Sequence, residues 1–356
     1  MAIGRLKYNR DLNGMHMNLV LVYLGNPVPL YLMHNLEYLR LSFPEEKVWL
    51  ISDLPSNQRC AERAQANFFL CKNPRKQWSE LYESMNHKKN YRSGFWFNTK
   101  ARLLVLEEFF IRNDDAPVLH IEGDIWLSPR FPMGLVSAIE KDFAFPITSM
   151  NSGIASTFFI RNREASSKLI SKVIEVSKSN PAATDVDILG QLWESSPTDV
   201  EILPNSIPSN NPVGSDSKVK LLSLMSSNIQ KFDGLFDAST FGVHLTGLDP
   251  RNRYGVREIY NAVSDHAVDV TAYEFYFENG FPFASYKEAK YPIFSLHIHS
   301  KDKRFFSYKN WQSVMSRRIM QRRALPIFEF SMPGLFGFVS DYFHLLFKYL
   351  IRRMLK

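Results

Sequence analysis

Read for polarity alone, the chain has its first long apolar run at residues 18–24, NLVLVYL, closing on Gly25-Asn26-Pro27. A run without alternation, bounded by turn residues, predicts a strand buried on both faces of a parallel sheet. Residues 29–41 follow with helical spacing, and residues 47–53, KVWLISD, return to a strand pattern, so the opening reads β-α-β. Residues 56–93 are polar and irregular. They predict no firm element. A helix is expected over residues 97–111, with Leu103, Leu106 and Phe110 on one stripe, followed by a turn at residues 113–117. The apolar stretch VLHIEGDIWL, residues 118–127, then reads as a core strand that ends in a pair of acids, Glu122 and Asp124. Strands are expected at residues 143–146 and 154–160, joined by a connection that contains Met150-Asn151-Ser152-Gly153. A helix over residues 165–176 places Leu169, Val173 and Val176 inward, and another helix opens near Thr184. Residues 204–217, with three prolines, form a loop that is either a lid or a surface excursion.

The pattern is that of an α/β protein, with a mixed, largely parallel sheet flanked by helices over residues 1–311 and a basic tail over residues 312–356. Hydrophobic residues at 45% and charged residues at 22% are ordinary for a globular chain and exclude disorder as its main state. The net charge of +7 would suggest nucleic acid if it were spread over the body. It is not, because the tail holds eight basic residues against two acids and leaves the body nearly balanced. No nucleic-acid partner is expected. Two cysteines, Cys60 and Cys71, make no disulfide framework, and the first 18 residues contain no apolar segment of secretory length. A cytoplasmic location is expected.

In an extended strand, side chains two apart share a face, so Glu122 and Asp124 are expected to point the same way across Gly123. Paired carboxylates suit a hard divalent ion such as Mn2+ or Mg2+, and Gly123 would let a ligand approach the backbone. A solvated turn explains the same three residues without any ion. Asp53, at the carboxyl end of the second strand, is positioned either to hold a ribose or base or to form a turn. Thr184 and Asp187 have capping-box spacing, which leaves Asp185 unexplained except by favourable placement at a helix start. In SLHIHSK, residues 295–301, His297 and His299 are expected on one face of a strand, with Leu296 and Ile298 toward the core.

The order of these features resembles the GT-A class of nucleotide-sugar glycosyltransferases. A β-α-β opening is followed by a helix with Thr99-x-x-Arg102, an apolar strand ending in acid-x-acid, and Asn151-Ser152-Gly153 before a further strand. The resemblance spans roughly residues 18–300 and departs from the family's Asp-x-Asp at Glu122. It implies a metal held by Glu122, Asp124 and one of His297 and His299, and donor binding by Asp53, Arg102, Glu122, Asp124 and Lys301. It also implies an acceptor-side or catalytic role for Asp185. The segment 232–252 is similar to one in bacterial glycosyltransferases of surface polysaccharides, which makes Asp237, His244 and Asp249 candidates for acceptor binding. A helix of small residues followed by an Asp-Pro turn is the plainer alternative there.

The tail adds a partner. Arg317, Arg318, Arg322 and Arg323 precede residues 335–355, where Phe336, Val339, Phe343, Leu346, Phe347 and Leu350 recur at helical spacing. Asp341, His344 and Lys348 interrupt the run, so it is a poor membrane span. It fits a helix lying in an anionic membrane surface, with packing onto the main domain as the alternative. The function expected is transfer of a sugar from a nucleotide-sugar donor to a glycan or lipid-linked glycan acceptor. The alternative is a membrane-surface binding module that keeps the fold without catalysis.

Overall fold

A computed structural model describes residues 16–85, 94–208, 215–246 and 268–324. The first described stretch contains β1 (Asn18–Val22), α1 (Leu30–Ser42), β2 (Lys47–Ser52), α2 (Gln58–Arg63), β3 (Asn67–Leu70), α3 (Pro74–Gln77) and α4 (Ser79–Ser84). The second runs through α5 (Phe95–Arg112), β4 (Val118–Ile121), β5 (Ile125–Leu127), α6 (Met133–Ser137), β6 (Phe143–Phe145), β7 (Ile147–Ser149), β8 (Ser152–Gly153), β9 (Thr157–Ile160), α7 (Arg163–Ser179), α8 (Asp185–Ser195) and β10 (Val200–Ile202). After these come α9 (Asp216–Ser226), α10 (Ile229–Phe232), β11 (Leu235–Phe236), α11 (Thr240–Thr246), β12 (Glu274–Glu278), β13 (Phe281–Tyr286), β14 (Ala289–His297) and α12 (Trp311–Ala324).

Seven strands form the main sheet in the order β10-β6-β9-β4-β1-β2-β3. Every pair in it is parallel except those of β9, which runs against both β4 and β6. The expected mixed, largely parallel sheet is what the chain adopts. Its middle strands are apolar because helices cover both faces: every residue of β1 and of β4 is buried. α1 packs with Leu32, Leu36 and Leu39 inward, at the spacing of a helix face. Strand β3 departs from the sequence expectation. It is four residues, NFFL, inside a stretch that reads as irregular, and its pairing with β2 supplies the order that its own pattern lacks.

A second sheet, β11-β14-β13-β12, adds β5 along β14. This agrees with the acids lying at a strand end and corrects the expectation that Glu122 and Asp124 share a face of an extended strand. β4 ends at Ile121 in the main sheet, and β5 starts at Ile125 in the second, so the acids lie in the turn between two sheets. α12 begins where the basic tail was expected, and its Trp311, Met315 and Ile319 are buried in the common core. Residues 331–356 and Asp249 lie outside the described residues. No described helix is long and apolar enough to cross a membrane.

Candidate active site

Backbone register builds the site. The amide of Ile125 donates to the Glu122 carbonyl at 3.0 Å, closing a tight turn, and the amide of Glu122 donates to the Ser156 carbonyl at 3.1 Å. β5 then pairs antiparallel with β14, with Ile125 opposite His297, and the amide of Ile298 continues the ladder to the Asp124 carbonyl at 2.7 Å. Residues distant in sequence thereby become neighbours. From α1, the Asn35 side chain donates to the carbonyls of Gly123 and Ile125 at 3.1 and 2.9 Å, fixing the turn from behind. The Leu32 side chain fills the space beside Gly123, where a Cβ would lie 2.5 Å from Leu32 Cδ1. The expectation that Gly123 clears space for a ligand is therefore corrected: α1 fills the space.

Glu122, Asp124 and His297 offer three donor atoms that all lie within 4.8 Å of one another. His297 Nε2 is 3.2 Å from Asp124 Oδ2 and 3.9 Å from Glu122 Oε2. Two cations flank the trio. Arg102 Nη2 meets Glu122 Oε1 at 2.5 Å and also pairs with Asp185 Oδ2, while Lys301 Nζ pairs with Asp124 Oδ2. Burial works against the Asp124 carboxylate, yet the Lys301 ammonium and His297 hold it well below the usual range. Burial would also lower the His297 imidazole, but the Asp124 and Glu122 carboxylates outweigh it and raise it above its ordinary value. For Arg102 the same contest is won by Glu122 and Asp185, so the guanidinium keeps its charge although enclosed.

This donor set fits a hard divalent cation. Two carboxylate oxygens and an imidazole nitrogen are ligands that Mn2+ and Mg2+ accept. Neighbouring ligands of a six-coordinate ion with bonds of about 2.1 Å are about 3 Å apart and opposite ones about 4.2 Å, and the two measured separations fall in that range.

Other expected residues sit differently. His299 stacks on His297 with ring centroids 3.9 Å apart but lies beyond the end of β14, not in alternation on it, and is not among the converging donors. Burial and the neighbouring His297 hold it well below its ordinary value, so it is neutral. Asp185 is the first residue of α8, whose Thr184–Asp187 capping box forms as expected, and its Oδ2 is committed to Arg102. Asp237 does not face a cavity: it is 1% exposed and both its oxygens accept backbone N–H groups. Its acceptor role is corrected on that ground. Burial, against those bonds, pushes its carboxyl up to about 6. His244 lies within α11 and packs its ring on Phe275 at 5.3 Å, which agrees with the helical part of the plainer reading; the Asp-Pro turn of that reading lies outside the described residues.

Asp53 takes part in a second cluster, at the carboxyl ends of β1 and β2. Its Oδ1 accepts the Gly25 N–H at 2.7 Å, where Gly25 has φ +73°, a conformation glycine adopts without strain. Asn98 donates to the adjoining Leu24 carbonyl at 3.2 Å. A Cβ on Gly25 would lie 3.4 Å from the Arg75 guanidinium. Asn98 and Arg75 are not in the sequence-level site. Asn98 was within reach, because it precedes Arg102 by one helical turn and so shares its face of α5. Arg75 carries no such signal, since α3 sits in the stretch that reads as irregular.

No family model matches the chain, and no curated protein does. Among solved structures it is similar to a PaToxG glycosyltransferase, at 12% identity and TM-score 0.34 over 51% of this chain and 70% of that one. It is also similar to a CMP:2-keto-3-deoxy-manno-octonic acid synthetase complexed with CTP, at 11% identity and TM-score 0.33 over 61% of this chain and 99% of that one. Likenesses at this level leave the function to be read from the site.

Proposed function

We propose that this chain is a metal-dependent glycosyltransferase, moving a sugar from a nucleotide-sugar donor to a glycan or lipid-linked glycan acceptor. The observation that carries the reading is the convergence of Glu122, Asp124 and His297 from two sheets on one point beyond the carboxyl end of β4. Ligands of open α/β sheets bind on that side. Those three residues would hold Mn2+ or Mg2+, which when bound neutralises charge on a departing diphosphate. The protein's own groups do the rest. Arg102, anchored by Asp185, keeps Glu122 in place, and Lys301 supplies an ammonium to a phosphate oxygen. The Gly25–Asp53–Asn98 edge takes the nucleoside, with amide and carboxylate groups suited to ribose hydroxyls and base edges. The basic tail is assigned to an anionic membrane surface, beside which a lipid-linked acceptor would be displayed.

A panel of nucleotide sugars incubated with Mn2+ tests the reading. Hydrolysis of at least one donor is expected, lost on chelation and in Asp124→Ala. Hydrolysis that survives both treatments would remove the metal assignment. No turnover of any donor, together with unchanged retention of nucleotide, would leave the binding-module function instead. Deleting residues 331–356 should abolish binding to vesicles containing phosphatidylserine, and undiminished binding would remove the membrane partner.

A further inference from the structure

Asp237 follows β11 and precedes α11, and its carboxylate accepts three backbone N–H bonds: Oδ1 from Phe241 at 2.9 Å, Oδ2 from Gly242 at 2.8 Å, and Oδ2 again from His297 at 2.9 Å. The first two belong to the opening turn of α11 and amount to ordinary satisfaction of a helix start. The third does not. It crosses to the last residue of β14, whose imidazole faces Asp124.

The end of a strand is where backbone orientation is least constrained, and here it is held from several sides. The amide of His297 goes to Asp237, and the next amide, of Ile298, goes to the Asp124 carbonyl at 2.7 Å. Beyond them the chain turns, with the His299 amide on the His297 carbonyl at 3.0 Å and the Lys301 amide on the Ile298 carbonyl at 2.8 Å. α11 is pressed against the same point, since a Cβ on Gly242 would overlap the His297 carbonyl oxygen. Asp237 is itself immobilised: its amide donates to Ser295 Oγ at 3.1 Å, and its carbonyl accepts from Ser156 Oγ at 3.1 Å. Ser156 also provides the carbonyl that takes the Glu122 amide. One buried residue thus ties the strand end bearing His297 to the turn bearing the two acids.

We propose that Asp237 is a positioning residue of the metal site, its carboxylate fixing the His297 backbone so that the imidazole meets Asp124 and Glu122 before any ion binds. The proposal rests on the metal reading above. Groups that orient a metal ligand typically change affinity by about 10- to 100-fold when replaced, and that is the range expected here. Asp237→Asn keeps the shape but sets an amide N–H2 against backbone N–H donors. The comparison variant is Asn228→Ala, which loses a side-chain bond to the Ile202 carbonyl at 2.8 Å and touches none of the site residues.

Two readouts apply to the full chain: the Mn2+ dissociation constant, from the electron paramagnetic resonance of free Mn2+, and the imidazole 15N resonances of the metal-free protein. Asp237→Asn should weaken Mn2+ binding about 10- to 100-fold and displace the His297 resonances, with Asn228→Ala doing neither. If Asp237→Asn does not fold, Ser295→Ala, which removes the shorter of the two bonds from the Asp237 amide and leaves the one to the Ser295 carbonyl at 3.3 Å, should displace the same resonances and weaken binding in the same direction. Wild-type affinity and unmoved His297 resonances in the folded variant, or unmoved resonances in Ser295→Ala, would overturn the proposal. The two levels fail separately. If His297→Ala binds Mn2+ weakly and Asp237→Asn binds it as the wild type does, only the positioning role falls; if the wild type binds none, the metal reading falls and takes the positioning role with it.

Discussion

His120 makes the stability of this protein depend on pH in a way that can be worked from its surroundings. It lies on β4, fully buried, with Nδ1 3.1 Å from the Val20 carbonyl, so Nδ1 carries the proton and donates it. Nε2 is buried without a partner among the described residues. Burial, and secondly the Arg102 charge, hold the imidazole down to about 3, against the pull of the Val20 bond and an ordinary value of 6.5. Between those values the unfolded chain binds a proton that the folded chain refuses. Stability from this group is therefore complete above pH 6.5 and drains away as pH falls toward about 3. Each pH unit between the two values is worth a little over 1 kcal/mol, so going from about pH 7.5 to about pH 4.5 removes about 3 kcal/mol. His120→Asn keeps a donor for Val20 and has nothing to titrate. Urea unfolding of both proteins at the two pH values, with chelator present, cancels the carboxylates they share. The wild type should lose about 3 kcal/mol more than the variant over that interval. Equal losses would mean that His120 is protonated in the native state, and the account of its burial would be wrong.

Three further outcomes follow from particular contacts. Arg102→Met leaves Glu122 and Asp185 enclosed without their cation and should cost about 3–5 kcal/mol in urea unfolding; adding Asp185→Asn should recover part of it, and strictly additive losses would show that the two do not share Arg102. Gly190→Ala drives a Cβ into the Asn151 carbonyl, where α8 crosses the β7–β8 hairpin, and should cost about 1–3 kcal/mol with displacement of the Asn151 amide resonance. A neutral substitution there would mean the hairpin yields freely. Thr184→Ala removes the acceptor for the Asp187 amide and should lower stability by about 1 kcal/mol, measured by thermal unfolding, while Thr184→Ser should not.

Much of the scaffold was legible because its signals are local. The unbroken apolar run of β1, the heptad-like spacing of Leu32, Leu36 and Leu39, the stripe along α5 and the Thr184–Asp187 box each state their element within a few residues. The acids were legible as a pair, with either His297 or His299 as a companion, from which only the convergence in the structure selects His297. Their geometry was not. VLHIEGDIWL has the polarity of one strand whether the chain runs straight or turns at Glu122 into another sheet, and only the pairing of β5 with β14 distinguishes the two. β3 escaped for a related reason: four residues carry too little periodicity to announce a strand, and β2 supplies the template. Asp237 shows the limit most plainly, since an acid among glycines reads as a sugar ligand or as part of a plain helical segment, and its burial is visible only in the tertiary structure.

Residue type and local spacing thus determined the strongly patterned helices and strands and which side chains bring chemistry, but not the short elements of residues 56–85 or the β12–β13 hairpin. Tertiary pairing decided where that chemistry converges, because the register between β5 and β14 is set by backbone hydrogen bonds and packing between residues far apart in the chain, and no local pattern records them.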